Sequence, residues 1–281
     1  MRNIVLTVLL LALAREVYAE GTSPQVDWSA VRADVPHGTV SALSIRDTKY
    51  ARERSVWVYT PPHYDSTGKT EYDLLVLFDG ESYTSDIPAP VILDNLIAAK
   101  QIRPVVAVLV DDSVDRLGDL ANHQRLADFM AAELVPWARS KWWIAKGAAH
   151  VVVGGYSAGG LAAAYVAFRH PEVFGNVVSQ SGAFWRGNEG TSAPAEWLTD
   201  AFAKSPPLKV RLYLEVGARE TQRVANGVVF VEANRRLRDV LRAKGYAVTY
   251  LEVPGAQHEE GHWRAAFPQA LVHYFGTSGA T

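Results

Sequence analysis

The stretch His150-Val151-Val152-Val153-Gly154-Gly155-Tyr156-Ser157-Ala158-Gly159-Gly160-Leu161-Ala162-Ala163-Ala164 reads as a buried strand, a sharp turn that carries a serine, and a helix. The β-branched run Val151 to Val153, closed off by glycines, has the pattern of a strand covered on both faces, while Leu161 to Phe168 contains no breaker and favours a helix. Between them, Gly155-Tyr156-Ser157-Ala158-Gly159 is the G-x-S-x-G pattern of a nucleophile elbow. In such an elbow the serine sits on a strained strand-to-helix turn and its hydroxyl projects from the sheet edge. Glycines at 155 and 159 remove two Cβ atoms where strand and helix approach closely. Chance alone gives the bare pattern in about one chain in ten of this length, so the flanking strand and helix carry the argument.

Working outward, the rest of the chain alternates strands with helices. Thr39 to Ile45 and Arg54 to Thr60 alternate in polarity as two strands of a hairpin, with Asp47, Thr48 and Lys49 in the turn. Asp73 to Phe78 and Pro104 to Val110 are continuous apolar runs of buried strands. Pro88 to Ala99 is amphipathic with a helical period, and His123 to Trp142 is a longer helix that Pro136 should kink. After the elbow come a strand at Asn176 to Gln180, a loop from Ser181 to Pro194 and a short helix at Ala195 to Phe202. A strand at Lys209 to Val216, a helix at Asn226 to Lys244, a strand at Tyr246 to Val253 and a closing helix at His262 to Tyr274 complete the order. This is an α/β class chain: a mostly parallel sheet with helices on both faces, whose ligands gather at the carboxyl ends of the strands.

The length of 281 residues fits one α/β catalytic domain over 20–281, after a leader at 1–19. In that leader Arg2 precedes an apolar run from Ile4 to Ala14, and Val17-Tyr18-Ala19 offers small cleavage residues, as in a secretory signal peptide. Arg15-Glu16 departs from the usual neutral region and leaves an uncleaved membrane anchor as the other reading. The run is short of the roughly 20 residues that span a bilayer. We therefore expect a periplasmic or secreted protein with no stable membrane insertion once the signal is removed. A formal net charge of −2 gives no overall attraction to nucleic acid, so any anionic ligand needs local arginines. The absence of cysteine excludes disulfides, thiolate metal sites and a thiol nucleophile.

A serine hydroxyl becomes a nucleophile when a base takes its proton and a third group orients that base. On α/β-hydrolase folds these follow in the order serine, acid, histidine. Glu220, just past the strand-end Gly217, is placed to be the acid. Glu215 is still within the strand, and Asp200 and Asp239 fall on or beside helices. Two histidines follow the last strand, His258 and His262. The same residues, His258-Glu259-Glu260-Gly261-His262, also match H-E-x-x-H, in which two histidines one helical turn apart bind zinc. Pro254-Gly255 and Gly261 speak against a helix there, and no Asp or Glu follows Glu260 as a third ligand, so we assign no metal and no cofactor. The oxyanion donors are expected at the amide of Ala158 and at Gly80 or Glu81, in the turn after the Asp73 to Phe78 strand.

Taken together, several stretches carry a family resemblance. They are Val56-Trp57-Val58-Tyr59-Thr60-Pro61-Pro62, Leu75-Val76-Leu77-Phe78-Asp79-Gly80, Glu133-Leu134-Val135-Pro136, Gly155 to Gly160, Ser179-Gln180-Ser181-Gly182-Ala183-Phe184-Trp185, Glu215 to Glu220, and His258 with Trp263-Arg264. From about Thr39 to Leu271 the chain resembles the enterochelin (enterobactin) esterase and esterase D family of α/β-hydrolases. The resemblance implies a serine esterase with Ser157 as nucleophile, Glu220 as acid and His258, rather than His262, as base. It further implies the trilactone of a catecholate siderophore as a small-molecule ester substrate. The long N-terminal domain of the cytoplasmic enterochelin esterases is missing, which resembles the compact exported branch. A second tryptophan usual after Phe-Trp is replaced by Arg186. An iron-loaded catecholate is anionic and aromatic, which makes Arg116, Arg186, Arg219 and Arg223 candidates to bind it, with Trp185 and Trp197 as stacking rings. A feruloyl or acetyl esterase, and a binding protein on a decayed hydrolase fold, are the competing expectations.

Overall fold

The valine run of the elbow strand forms β5 (Val151–Tyr156), every residue of which is buried up to Gly155. The computed structural model describes residues 26–111, 116, 123–187 and 195–277. The leader at 1–19 and much of the 112–122 and 188–194 loops therefore lie outside the described residues. Eight strands form one sheet in the order β1-β2-β4-β3-β5-β6-β7-β8. Strands β1 (Thr39–Asp47) and β2 (Arg52–Thr60) make the antiparallel hairpin, and β2 pairs antiparallel with β4 (Val105–Val110). All other neighbours are parallel: β3 (Asp73–Leu77), β5, β6 (Asn176–Gln180), β7 (Arg211–Gly217) and β8 (Ala247–Val253). Both faces of β3 and β4 are buried, which is why their sequences are apolar without alternation.

Helices lie on both faces. On one side, α5 (Ala158–Arg169) and α7 (Phe230–Ala243) pack in a core with Phe129, Phe174, Leu214 and Leu237. On the other, α2 (Ala89–Ala98) and α8 (Glu260–Phe275) pack around Tyr83, Ile92, Phe267 and Leu271. The short α1 (Gly80–Thr84) and α6 (Trp197–Lys204) occupy loops at the carboxyl edge. Three expected boundaries are corrected. The 123–142 segment is α3 (His123–Phe129), a π-helical turn (Met130–Leu134) and α4 (Val135–Lys141). Pro136 falls directly after the π-helical turn, whose wider backbone accommodates the proline ring and its missing N–H while the helix continues without a break. Helix α7 begins at Phe230 rather than Asn226, because Arg223 bridges to Val229 and Ala225–Gly227 forms a 3-10 turn. Helix α8 begins two residues earlier than expected and tolerates Pro268 inside it.

Register fixes where the loops emerge. Leu77 lies beside Gly154, Tyr156 beside Gln180, Gln180 beside Glu215, and Gly217 beside Val253. The segments after β3, β5, β6, β7 and β8 therefore leave the sheet in one row, although they are spread over most of the sequence.

Candidate active site

Ser157 is the residue between β5 and α5, and its backbone has φ 53 and ψ −118, a conformation an L residue adopts only under strain. Its N–H donates to the Gln180 carbonyl at 2.9 Å, and its own carbonyl accepts from Ala183 at 2.9 Å, so backbone on β6 and in the following loop holds the strained turn. The two elbow glycines are required by space. A Cβ on Gly155 would sit 2.7 Å from the carbonyl carbon of Gly159, and one on Gly159 would sit 2.7 Å from an Asp79 carboxylate oxygen. The second distance also locates the turn after β3 directly against the elbow helix.

The three residues singled out for nucleophile, base and acid form one hydrogen-bonded chain. His258 Nε2 lies 3.0 Å from Ser157 Oγ, and His258 Nδ1 lies 2.6 Å from Glu220 Oε2. Glu220 is 1% exposed, yet it is not an unpaired buried charge. Its Oε1 accepts from the Gly217 N–H at 2.8 Å and from the Ser181 hydroxyl at 2.5 Å. Ser181 Oγ in turn accepts from the indole N–H of Trp263 at 2.9 Å. The His258 ring is wedged edge-on between Phe230 and Trp263, with centroids 4.8 and 4.9 Å away. Trp263 stacks on Tyr156, the residue before the serine, at 4.2 Å. With Glu220 acting as acceptor, Nδ1 carries the proton and Nε2 is left as the acceptor facing the serine hydroxyl.

The zinc spacing does not survive the fold. Glu259 is extended, with φ −154, and the helix begins only at Glu260, so His258 and His262 do not share a helical turn. His262 is buried and faces elsewhere: Nδ1 lies 3.0 Å from the Gln257 carbonyl, and Nε2 forms an ion pair with Glu215. Asp200 and Asp239 are exposed partners of Lys204 and Arg238, away from the histidines.

A family model described as "Putative esterase" matches residues 48–274. The chain belongs to this esterase family. It is 30% identical over 256 residues to the Iron(III) enterobactin esterase of Escherichia coli (strain K12), covering 88% of this chain and 60% of that one. It is also similar, at 27% identity and a TM-score of 0.75, to the crystal structure of the enterobactin esterase from Shigella flexneri in the presence of enterobactin, covering 89% of this chain and 62% of that one. A third relative is an endo-1,4-beta-xylanase/feruloyl esterase of Xylanibacter ruminicola, 26% identical over 89% of this chain and 33% of its own. The chain thus spans about 60% of the length of the E. coli enterobactin esterase it matches.

The structure sorts the arginines and rings expected to meet a substrate. Arg116 faces Asp79, donating from Nη2 to Oδ2 at 2.9 Å with Nε close to Oδ1, and lies 5.6 Å from the Tyr156 ring centroid. Its charge is therefore largely balanced by the carboxylate beside the elbow. Arg186 is half-buried, 5.9 Å from the Trp185 ring, and both burial and the positive charge of Arg116 push its guanidinium below the usual arginine range. Arg219 is exposed beside Glu220, with its backbone N–H on the Ala256 carbonyl. Arg223 donates to the Gly227 carbonyl of its own turn, and Trp197 is buried edge-on against Tyr165.

Four supporting residues were not legible as such: Gln180, Ser181, Trp263 and Tyr83. The Gln180 amide donates to the Trp263 carbonyl at 2.8 Å and to Glu215 at 3.2 Å, and its oxygen accepts from Tyr83 at 3.0 Å. Burial, with the charges of Asp79, Tyr156 and Glu215, raises the Tyr83 phenol well above its ordinary range, so it stays a donor. The signal for Ser181 and Trp263 was their place in stretches shared with the family, which named no role.

Proposed function

We propose that this esterase hydrolyses carboxylic esters by acyl transfer to Ser157, and that its substrate is the trilactone of a catecholate siderophore of the ferric enterobactin type. The observation that carries the reading is the continuous Ser157–His258–Glu220 hydrogen-bond chain. The Ser157 hydroxyl attacks the ester carbonyl while His258 Nε2 takes its proton, and Glu220 stabilises the imidazolium through Nδ1–H. The tetrahedral oxyanion is stabilised by the amide of Ala158 and by an amide of Gly80 or Glu81, in the turn that abuts Gly159. Collapse breaks the bond to the leaving alkoxide, which takes the proton from His258. Water, deprotonated by the same imidazole, then attacks the acyl-serine, and His258 returns the proton to Ser157 as the acid product leaves.

Substrate class rests on two supports. Two of the three relatives quoted above are named for enterobactin, and Arg186 stands half-buried beside Trp185 and within reach of the Arg116 charge, a cationic and aromatic corner suited to an anionic catecholate. The similarity to a feruloyl esterase favours the second reading, in which the acyl group is a neutral hydroxycinnamate. Incubation of purified protein with ferric enterobactin and, in parallel, with methyl ferulate, followed by mass spectrometry, separates them. Linear dihydroxybenzoylserine products are the expected result, and release of ferulate alone overturns the siderophore reading. Export, read from residues 1–19, belongs to the same proposal: the protein should be found in the osmotic-shock fraction, and deletion of 1–19 should leave it inside the cell.

A further inference from the structure

A second acid–histidine pair lies directly behind the first. Glu215, within β7 two residues before its last, and His262, in the first turn of α8, have side chains 1% and 4% exposed and form an ion pair. Both ring nitrogens of His262 face an oxygen, Nδ1 within hydrogen-bond geometry and Nε2 in an ion-pair contact. Nδ1 faces the carbonyl of Gln257, the residue immediately before His258, at 3.0 Å, and Nε2 faces Glu215. Glu215 is itself tied to the active-site floor, since its other oxygen accepts from Gln180, and its backbone carbonyl accepts from Ser181, which holds Glu220. The loop that bears His258 is thus pinned at two successive carbonyls: Ala256 by the Arg219 N–H at 3.0 Å, and Gln257 by His262, with the Glu259 N–H sharing that acceptor.

We infer that His262, protonated and paired with Glu215, is a positioning residue that holds the 254–258 loop so that His258 reaches Ser157 and Glu220 together. The inference rests on the triad reading above. A neutral imidazole that donates from Nδ1 to Gln257 would turn a bare Nε2 lone pair toward the Glu215 carboxylate, whereas an imidazolium presents N–H to the carbonyl and positive charge to the carboxylate. Burial works against the imidazolium, but the hydrogen bond and charge of Glu215 outweigh it, aided by the Gln257 carbonyl and the charge of Glu220, and hold the group above the ordinary histidine range. The groups facing the pair are Glu215 and Tyr213 on β7, Glu220 in the loop after it, and Tyr83 on α1 through Gln180; none adds a positive charge. A folded pKa above the unfolded value of about 6.5 means that the stabilisation is complete below that pH and is lost as pH rises through the folded value.

The test uses the full chain and a neutral p-nitrophenyl ester, with kcat and KM from pH 5 to 10 and melting temperature over the same range, for Ser157→Ala, His262→Ala, His262→Asn and Glu215→Gln. His262→Ala should lower kcat by about ten- to a hundredfold, the scale of a catalytic group displaced by an ångström or less, with KM changed by about twofold or less. His262→Asn, which keeps a donor for Gln257, should recover part of the loss. Wild type should lose kcat/KM and melting temperature together on the alkaline side, and the Asn variant should lack that alkaline fall. If His262→Ala does not fold, the Asn and Glu215→Gln variants decide by the same criteria. Unchanged kcat and pH profile in the folded variants, with only a lower melting temperature, overturn the inference while a dead Ser157→Ala leaves the triad reading intact. An active Ser157→Ala removes the reading beneath it.

Discussion

The two ends of the parallel strands each carry a histidine held by a carboxylate, and only one end has the makings of a catalyst. At the carboxyl end, His258 Nδ1 meets Glu220 at 2.6 Å; at the amino end, His150 Nδ1 meets Asp73 at the same 2.6 Å. The amino end also has a hollow, a cavity of about 470 Å³ lined in part by Asp73, Arg103, Lys146 and His150. What separates them is what surrounds the pair. The Glu220 carboxylate is fully buried and satisfied by a backbone N–H and Ser181, and the far nitrogen of His258 faces a serine on a strained turn. Asp73 shares its second oxygen with Arg103 at 2.6 Å, His150 is 47% exposed, and among the described residues no serine hydroxyl is bonded to it. A histidine–carboxylate distance is therefore weak evidence of chemistry. A nucleophile and a dry, saturated acid supply the meaning.

The contrast can be broken in graded steps. Ser157→Ala and His258→Ala should each reduce kcat by roughly 10⁴- to 10⁶-fold with unchanged circular dichroism, as when a member of a catalytic triad is lost. Glu220→Gln should cost less than loss of the serine, up to about 10⁴-fold, because the acid orients and stabilises the base without attacking; stopped or steady-state kinetics on a p-nitrophenyl ester measure both. Arg186→Ala should raise KM for ferric enterobactin by about tenfold, the scale of one charge-assisted hydrogen bond, and leave the neutral ester unaffected. EDTA should change neither activity, whereas a zinc mechanism would lose both. The smallest effect is reserved for the amino end: His150→Ala should leave kcat and KM untouched and lower stability by less than about 1 kcal/mol in urea melts, since His150 is half exposed and the buried Asp73 keeps Arg103 as a partner. A large loss of turnover there would erase the distinction between the two ends.

Much of this was legible in the sequence for reasons that are local. A valine run, two spacing glycines and an unbroken helix specify the elbow within fifteen residues, and the apolar runs at 73–78 and 104–110 announce strands buried on both faces. Glu220 could be placed because it follows a strand-ending glycine. What stayed hidden depends on register between distant segments. Trp263 reaches Ser181 across 82 residues, and Gln180 reaches Glu215 only because β6 and β7 lie side by side with those residues paired. Glu215 looked like an ordinary in-strand residue, and nothing in the order of residues says that its side chain meets His262. Arg116 looked like a free cation for a substrate until the fold placed it on Asp79, and the start of α7 moved because a 3-10 turn and an isolated bridge claim residues 223–229.

The claim that the carboxyl end is the catalytic end is tested most directly by covalent labelling. Purified protein treated with a fluorophosphonate, then digested and sequenced by mass spectrometry, should carry a single phosphonyl adduct on Ser157, with esterase activity lost in proportion to labelling. The His258→Ala variant should label far more slowly, because its serine has no base, while His150→Ala should label at the wild-type rate. Full labelling of Ser157 without loss of activity, or loss of activity with the adduct on another residue, would contradict the account.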